Sequence, residues 1–187
     1  MLHEAHAIGV LGLNGRGLAG AENVSEEVDV QMGTLSKALG ASGGYVCGSH
    51  TLIEWLINRA RSFIYSTAPA PAIVAAGAAA VNFLASLRGE KRRLLLWERL
   101  RLMQQLLPHT ESNKKHVAPC IAIFPWIVGG EQAALNLAAT LQSDGFLVPA
   151  IRYPTVAKDT ARLEITMTAA HEEAQIEALC DAIKRRL

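Results

Sequence analysis

One lysine in a loop is the first residue whose type and position could support chemistry. Lys37 lies in residues 33–40, directly after an alternating segment, 28–32, that is typical of a half-buried strand. A lysine amine can form a Schiff base with a carbonyl compound, and nearby hydroxyls and backbone amides can bind a phosphate. Most loop lysines are only solvated, so the segment by itself indicates a possible nucleophile and no particular reaction.

Two histidines near the start of the chain, His3 and His6, are three residues apart. Imidazole nitrogens bind transition metals, but the sequence offers no third ligand nearby and no helical pattern that would bring both rings together. We therefore expect no metal site here.

A glycine-rich stretch follows, with five glycines between residues 9 and 20. Its segment Gly12-Leu13-Asn14-Gly15-Arg16-Gly17 does not have the glycine spacing of a dinucleotide-binding fingerprint. The pattern indicates a tight turn with exposed backbone.

An arginine begins an alternating segment near the end of the chain. Arg162 precedes Leu163, Ile165 and Met167, which alternate with polar residues as in a strand with one buried face. A guanidinium group can hold a carboxylate through two parallel hydrogen bonds, which a lysine cannot reproduce. The alternative is an ordinary surface ion pair with Glu164 or Asp159.

The elements that would position these residues alternate between strand and helix. Thr51 and Glu54 have the spacing of a capping box and predict a helix start. Further strands are predicted at residues 45–47, 120–124, 146–151 and 162–168. Helices are predicted at residues 71–87, at 131–141 and at the C-terminus. Between the first two of these helices, a mobile basic stretch is expected at 88–93, followed by a helix that continues to residue 107. The pattern predicts two α/β lobes, residues 1–87 and 88–187.

Composition excludes several classes of function. The chain has 187 residues, is 50% hydrophobic and carries a net charge of +1, which gives no reason to expect a nucleic acid or an anionic membrane as a partner. Three widely spaced cysteines favour a reducing cytosol. The apolar stretch 68–85 contains two prolines and is mostly alanine, so we expect a buried helix there and a soluble, cytoplasmic protein.

Taken together and in order, several segments resemble the α-oxoamine synthases, a branch of the fold-type-I enzymes that depend on pyridoxal phosphate (PLP). Matching segments run over essentially the whole chain. They are Glu4-Ala5-His6, Gly9-Val10-Leu11-Gly12 through Gly15-Arg16-Gly17, residues 33–44 around the lysine, Phe63-Ile64-Tyr65-Ser66-Thr67, residues 150–156, Thr160-Ala161-Arg162-Leu163 and Ala169-Ala170-His171.

The resemblance implies an α/β fold, namely the fold-type-I PLP-dependent transferase fold, with a partial large domain and a small C-terminal α/β domain. It implies PLP as cofactor, held as a Schiff base by Lys37, with His6 on the phenolic oxygen. Thr34 would bind the cofactor phosphate. Ser66 and Thr67 would reach the phosphate of the neighbouring subunit of a homodimer.

The implied reaction is the decarboxylative condensation of L-alanine with a pimeloyl thioester, carried by coenzyme A or an acyl-carrier protein, in biotin biosynthesis. Lys37 would remove the α-proton of alanine, and Arg162 would clamp its carboxylate. Another α-oxoamine synthase activity, such as that of glycine C-acetyltransferase, remains an alternative, and a plain aminotransferase is a weaker one.

Two departures from the family pattern coincide at the start of the chain. Family members are roughly twice as long, and His3 stands where the family has the aspartate that pairs with the pyridine nitrogen. An imidazole cannot stabilise a pyridinium as a carboxylate does, and Glu4, one residue on, would point to the opposite face of a strand. We therefore expect a truncated gene, a misplaced start or a fragment, and a non-catalytic remnant or interaction module is the competing interpretation.

Overall fold

The computed structural model describes residues 1–107 and 122–186. The chain divides into two compact units, Met1–Arg93 and Leu94–Leu187. The domain limits proposed from the sequence, 1–87 and 88–187, stay a prediction.

Unit 1 contains a three-stranded sheet in the order β1-β2-β3. Its strands are β1 (Leu2–His3), β2 (Val30–Thr34) and β3 (Gly44–Gly48). Strand β1 runs parallel to β2, whereas β3 is antiparallel to it, with Gly33 opposite Tyr45 and Thr34 opposite Gly44. The two predicted strands are confirmed, and the lysine loop is the connection between β2 and β3.

Helices make up most of the rest of unit 1. They are α1 (Leu18–Ala21), α2 (His50–Arg59), α3 (Arg61–Ile64), α4 (Pro71–Leu84) and the start of α5 (Leu87–Leu106). Short 3-10 turns occupy Leu13–Gly15 and Ser25–Glu27. Pro71 stands in the first turn of α4, where its missing N–H has no intrahelical partner to lose.

The predicted capping box at Thr51 and Glu54 is wrong. The N-cap of α2 is Ser49, whose extended backbone lets its hydroxyl accept a hydrogen bond from the Leu52 N–H at 3.3 Å. Thr51 already lies inside the helix, so its backbone cannot adopt the geometry of a cap.

The predicted mobile stretch at residues 88–93 is also wrong, because these residues form the first turns of α5. Arginine and lysine lose little side-chain freedom in a helix and are good helix formers. Gly89 fits against the carbonyl groups of Phe83 and Leu84, which a Cβ would approach to 2.3 and 2.6 Å. The glycine therefore permits the sharp turn between α4 and α5.

Unit 2 contains a second, antiparallel sheet in the order β4-β6-β5. Its strands are β4 (Ile123–Gly129), β5 (Ala150–Ile151) and β6 (Ala161–Thr166), and its other helices are α6 (Glu131–Ser143) and α7 (Glu173–Lys184). The strand predicted at 120–124 starts at Ile123 within the described residues, and 120–121 lie outside them. The strand predicted at 146–151 shrinks to two residues, since Pro149 has no N–H to donate to a neighbouring strand.

The core of unit 2 is formed by α5, α6, α7 and the inner face of β6. Its fully buried side chains are Leu100, Met103, Leu141, Leu163, Ile165, Cys180 and Ile183. The Sγ of Cys180 lies 3.4 Å from the Sδ of Met103. Burial raises the pKa of the Cys180 thiol to about 11, so this cysteine is a packing residue and not a nucleophile.

No single helix among the described residues is long and apolar enough to cross a membrane, although α4 and α5 pass that test as a bent pair by length and composition.

Candidate functional site

The loop that carries Lys37 is closed by hydrogen bonds at its base. The Leu35 N–H donates to the Gly43 carbonyl at 2.9 Å, and the Ala41 N–H donates to the Leu35 carbonyl at 2.8 Å. Between these bonds the Gly40 N–H donates to the Lys37 carbonyl at 3.0 Å, which forms a tight turn. The backbone is therefore fixed, while the Lys37 side chain is exposed and its amine is available.

Two hydroxyl groups lie beside the lysine at the end of β2. Thr34 Oγ1 is 2.7 Å from Ser36 Oγ and 3.1 Å from the Gly43 carbonyl, and it accepts from the Ser36 N–H at 3.2 Å. Ser36 is exposed. Thr34 thus shapes the loop in this structure, and its role towards a phosphate stays a prediction.

The glycine-rich loop packs directly behind the lysine loop. The Gly9 N–H donates to the Gly15 carbonyl at 2.9 Å, and an antiparallel bridge joins Ile8 to Arg16. Gly9 has φ +82°, and a Cβ on it would lie 2.7 Å from the Cβ of Ala38. Only a glycine therefore allows this loop to approach the residue after Lys37 so closely.

His3 and Glu4 differ sharply in burial at the end of β1. His3 is exposed and pairs in register with Met32 of β2, whereas Glu4 is 3% exposed. Glu4 Oε1 accepts from the Ala19 N–H of α1 at 2.7 Å. The Glu4 carboxylate is therefore bound to α1, and the expectation that it cannot replace the family aspartate stays a prediction.

A tyrosine on β3 covers the strand that leads to the lysine. A Cβ on Gly33 would lie 2.3 Å from the Tyr45 hydroxyl, so the ring fits over β2 only because residue 33 is glycine. Burial raises the pKa of Tyr45, and the charges of Cys47 and Glu4 raise it further. The Tyr45 phenol therefore keeps its proton to a higher pH than an exposed tyrosine does.

The other predicted cofactor residues of unit 1 are exposed. His6 lies in the turn that follows β1. Ser66 and Thr67 follow α3, and the Ser66 hydroxyl donates to the Ser62 carbonyl. Within residues 1–107, no hydrogen bond links Ser66 or Thr67 to the lysine loop, and their roles, like that of His6, stay predictions.

Arg162 lies in unit 2, on the outer face of β6. It pairs in register with Ile127 of β4 and Ile151 of β5, and its Nε donates to the Thr160 carbonyl at 3.1 Å. A bulge between Ile127 and Gly129 interrupts the ladder beside it. Bulges of this kind re-aim neighbouring side chains, and the role of Arg162 towards a carboxylate stays a prediction.

Sequence reasoning assigned no role to two residues that pack around the lysine loop, Tyr45 and Arg93. Arg93 is 6% exposed, although it belongs to a basic run. The sequence does indicate that Arg93 is buried, because Leu96, Leu100 and Met103 follow it at helical spacing on the buried face of α5.

Among the described residues, no group of three or more His, Cys, Asp or Glu side chains is arranged to hold a metal ion.

Comparison with known families gives a match over almost the whole chain. The family described as aminotransferase class I and II matches residues 1–183. The 8-amino-7-oxononanoate synthase of Anaeromyxobacter dehalogenans strain 2CP-C is 46% identical over 180 residues, which are 96% of this chain and 44% of that protein. The 8-amino-7-oxononanoate synthase of Chromobacterium violaceum is 41% identical over 97% of this chain and 46% of its own length.

Solved structures share the fold. The 8-amino-7-oxononanoate synthase of Francisella tularensis superposes with a TM-score of 0.83 at 26% identity, covering 98% of this chain and 53% of that one. The serine palmitoyltransferase of Sphingomonas wittichii gives 0.85 at 25% identity, covering 98% and 45%. The predicted fold is confirmed: fold-type-I PLP-dependent transferase, as a partial large domain with a small α/β domain. The chain spans less than half the length of the curated relatives.

Proposed function

Since this chain belongs to the aminotransferase class I and II family, we propose that it is a PLP-dependent C-acyltransferase of the 8-amino-7-oxononanoate synthase type. The observation that carries the proposal is Lys37, an exposed amine on a loop closed by hydrogen bonds at the end of β2. Chains that are 41–46% identical over almost all of this sequence have that name. The proposed reaction is the decarboxylative condensation of L-alanine with a pimeloyl thioester in biotin biosynthesis.

The donor set of unit 1 fits PLP at its aldehyde and phosphate ends. Lys37 offers the amine, and Thr34 and Ser36 place two hydroxyls within 2.7 Å of each other beside it. His6 is exposed in the turn after β1, where it would hydrogen-bond the phenolic oxygen. The fit is poorer at the ring nitrogen, because His3 stands in the position of the family's carboxylate.

Bound PLP supplies an electron sink for the bond that breaks at the α-carbon of the amino acid. The residues of this chain then have separate tasks. Lys37 Nζ takes the α-proton and later returns one, which a free lysine amine does well when it is held at a fixed distance. His6 polarises the acyl carbonyl of the thioester and thereby favours attack on it.

Arg162 would orient the amino acid through its carboxylate. The guanidinium group makes two parallel hydrogen bonds to a carboxylate, and this fixes which bond at the α-carbon is perpendicular to the cofactor ring. The thioester partner would be an acyl-coenzyme A or an acyl-carrier protein.

We further propose that the protein acts in the cytoplasm as a homodimer. Ser66 and Thr67 are exposed at the end of α3, which suits residues that reach the cofactor phosphate of the neighbouring subunit. The Thr67 hydroxyl would add a hydrogen-bond donor to those of the lysine loop, and the Ser66 hydroxyl would add a second once it turns away from the Ser62 carbonyl.

One observation favours a second candidate, a non-catalytic member of the family that binds PLP weakly or not at all. His3 removes the carboxylate that keeps the pyridine nitrogen protonated, and Glu4 is bound to Ala19 and cannot substitute. Another α-oxoamine synthase activity, such as glycine C-acetylation, would use the same residues with a different acyl chain.

The test is borohydride trapping of PLP on the purified chain, followed by peptide mapping. We expect a covalent adduct on the peptide that contains Lys37, and Lys37→Ala should abolish it because no other amine occupies that loop. The control, Lys158→Ala, removes an exposed lysine that contacts the ring of Tyr153 in unit 2 and should leave the adduct intact. Equal trapping in the two variants would refute the proposal, and absence of any adduct in the folded chain would favour the non-catalytic candidate.

A further inference from the structure

The strongest unexplained feature of unit 1 is a buried arginine. The Arg93 side chain is 5% exposed, and its Nη2 forms an ion pair with Glu90 one turn earlier on α5. The other terminal nitrogen, Nη1, is buried and has no hydrogen-bond partner among the described residues, the only such side-chain atom there.

Stability does not explain an arginine at this position. A buried N–H without an acceptor costs roughly 1–3 kcal/mol, and apolar side chains of similar size often replace buried ion pairs without loss of stability. Methionine would fill the same volume with no polar atom to satisfy. Unfavourable choices of this kind concentrate at functional sites, where geometry matters more than stability.

The unpaired nitrogen lies directly beneath the glycine-rich loop. A Cβ on Gly15 would be 2.9 Å from Nη1, 3.0 Å from the Cα of Gly9 and 3.1 Å from a methyl group of Leu84. Gly15 is buried and has φ +70°, so the guanidinium group contacts backbone and not a side chain that could move aside.

The same stack continues to the lysine loop. Gly15 packs on Gly9, and a Cβ on Gly9 would lie 2.7 Å from the Cβ of Ala38, the residue after Lys37. Three contacts in series therefore connect Arg93 to the segment that carries the reactive amine. Gly15 is buried, Gly9 is partly covered and Ala38 is exposed, so a displacement of Gly15 is passed along these close contacts to the exposed end of the stack.

We propose that Arg93 is a positioning residue that sets the conformation of the Lys37 loop through the Gly15–Gly9–Ala38 stack. Its guanidinium group is planar, and the ion pair with Glu90 fixes the orientation of that plane. A flexible side chain of the same length would leave the glycine-rich loop, and with it the lysine loop, free to move. The importance of this positioning for catalysis rests on the proposed function, whereas the mechanical coupling does not.

The coupling is tested by hydrogen–deuterium exchange on the chain without added PLP. We expect Arg93→Met to leave the melting temperature unchanged or higher, but to speed exchange of the amides in residues 35–41 by about tenfold or more through local opening. Lys91→Met, an exposed change on the same helix, should alter neither. Glu90→Gln removes the ion pair that orients the Arg93 guanidinium group, and it should speed exchange of the same amides by a smaller factor.

Unchanged exchange at residues 35–41 in Arg93→Met would overturn the inference. If that variant does not fold, Glu90→Gln decides the matter alone, because it keeps the buried volume of Arg93. A second readout uses PLP itself: the absorption maximum and pH titration of the unreduced Schiff base with PLP should shift in Arg93→Met and not in Lys91→Met. A purely structural role for Arg93 would lower the fraction of the chain that carries PLP without changing the absorption maximum or the pH titration. That result would also overturn the inference.

A wild-type chain that forms no adduct while Arg93→Met still speeds exchange would count against the proposed function alone. An adduct in both proteins with identical spectra and identical exchange would count against Arg93 alone. The two failures are therefore distinguishable.

Discussion

At the scale of single residues, the end of β1 decides which side chain could lie beside the pyridine nitrogen of the proposed cofactor. His3 ends β1 and Glu4 follows it directly, yet His3 is exposed and Glu4 is buried against Ala19. Because side chains alternate between faces, a carboxylate one position away cannot be shifted into use without moving the whole strand by one residue. The weak point of the proposed cofactor site is thus confined to His3.

Restoring the family residue should therefore strengthen PLP binding. We expect His3→Asp to lower the apparent dissociation constant for PLP by about tenfold, since a hydrogen bond to a charged group contributes roughly 1.5–3 kcal/mol. Absorbance titration of the folded chain measures this constant. His50→Asp makes the same change in charge at the start of α2 and should have no effect, and a similar gain in both variants would contradict the assignment.

At the scale of elements, the two faces of β6 differ in burial. Leu163 is 0% exposed and faces the core, whereas Arg162 lies on the opposite face of the strand and is only partly covered. Substitutions at the two positions should therefore have separate consequences, on packing at Leu163 and on the proposed carboxylate binding at Arg162.

Leu163→Ala should lower the free energy of unfolding by roughly 2–5 kcal/mol, because it leaves a cavity in the core of unit 2. Arg162→Lys should change it by about 0.5 kcal/mol or less, as expected of a partly exposed position. Urea denaturation followed by circular dichroism measures both. Arg162→Lys should nevertheless weaken the absorption change that L-alanine causes in the unreduced Schiff base with PLP. A normal absorption change would argue against a carboxylate clamp at Arg162.

At the scale of the whole molecule, unit 1 leaves a large amount of apolar surface exposed. Helix α4 is apolar along nearly its full length, yet Gly77 is its only buried residue, and no residue of α2 or α3 is buried. Trp55 and Phe63 are more than half exposed. A helix that is hydrophobic on all sides is normally covered, so this surface is suited to contact with another chain.

The proposed homodimer makes this surface testable. We expect sedimentation velocity to show concentration-dependent dimerisation and expect Trp55→Ser with Phe63→Ser to weaken it by about tenfold or more, because buried aromatic residues dominate interfaces. Leu147→Ser removes an even more exposed apolar side chain from unit 2 and is the control. Dimerisation that persists unchanged in the double variant would place the interface elsewhere.

Local patterns in the sequence determined much of the chemistry-bearing part of the protein. The alternation around residue 30 and at 45–47 located the strands on either side of Lys37, and the alternation from Arg162 located β6. These predictions succeeded because strand period and glycine-rich turns depend on a few neighbouring residues. The ordered segments that resemble the PLP enzymes predicted the fold before any contact was known.

The tertiary structure decided what depends on residues far apart in the chain. Ser49 and Thr51 are equally good capping residues by type, and only the position where the helix begins selects Ser49. Glu4 is a structural carboxylate because α1 brings the Ala19 N–H to it across 15 residues. Arg93 belongs to a run of charges that looks solvated, yet the glycine-rich loop, some 80 residues earlier, buries it. Burial is a property of the packed chain and not of the residue type, which is why the sequence located the Lys37 loop and only the fold showed that Arg93 is buried behind it.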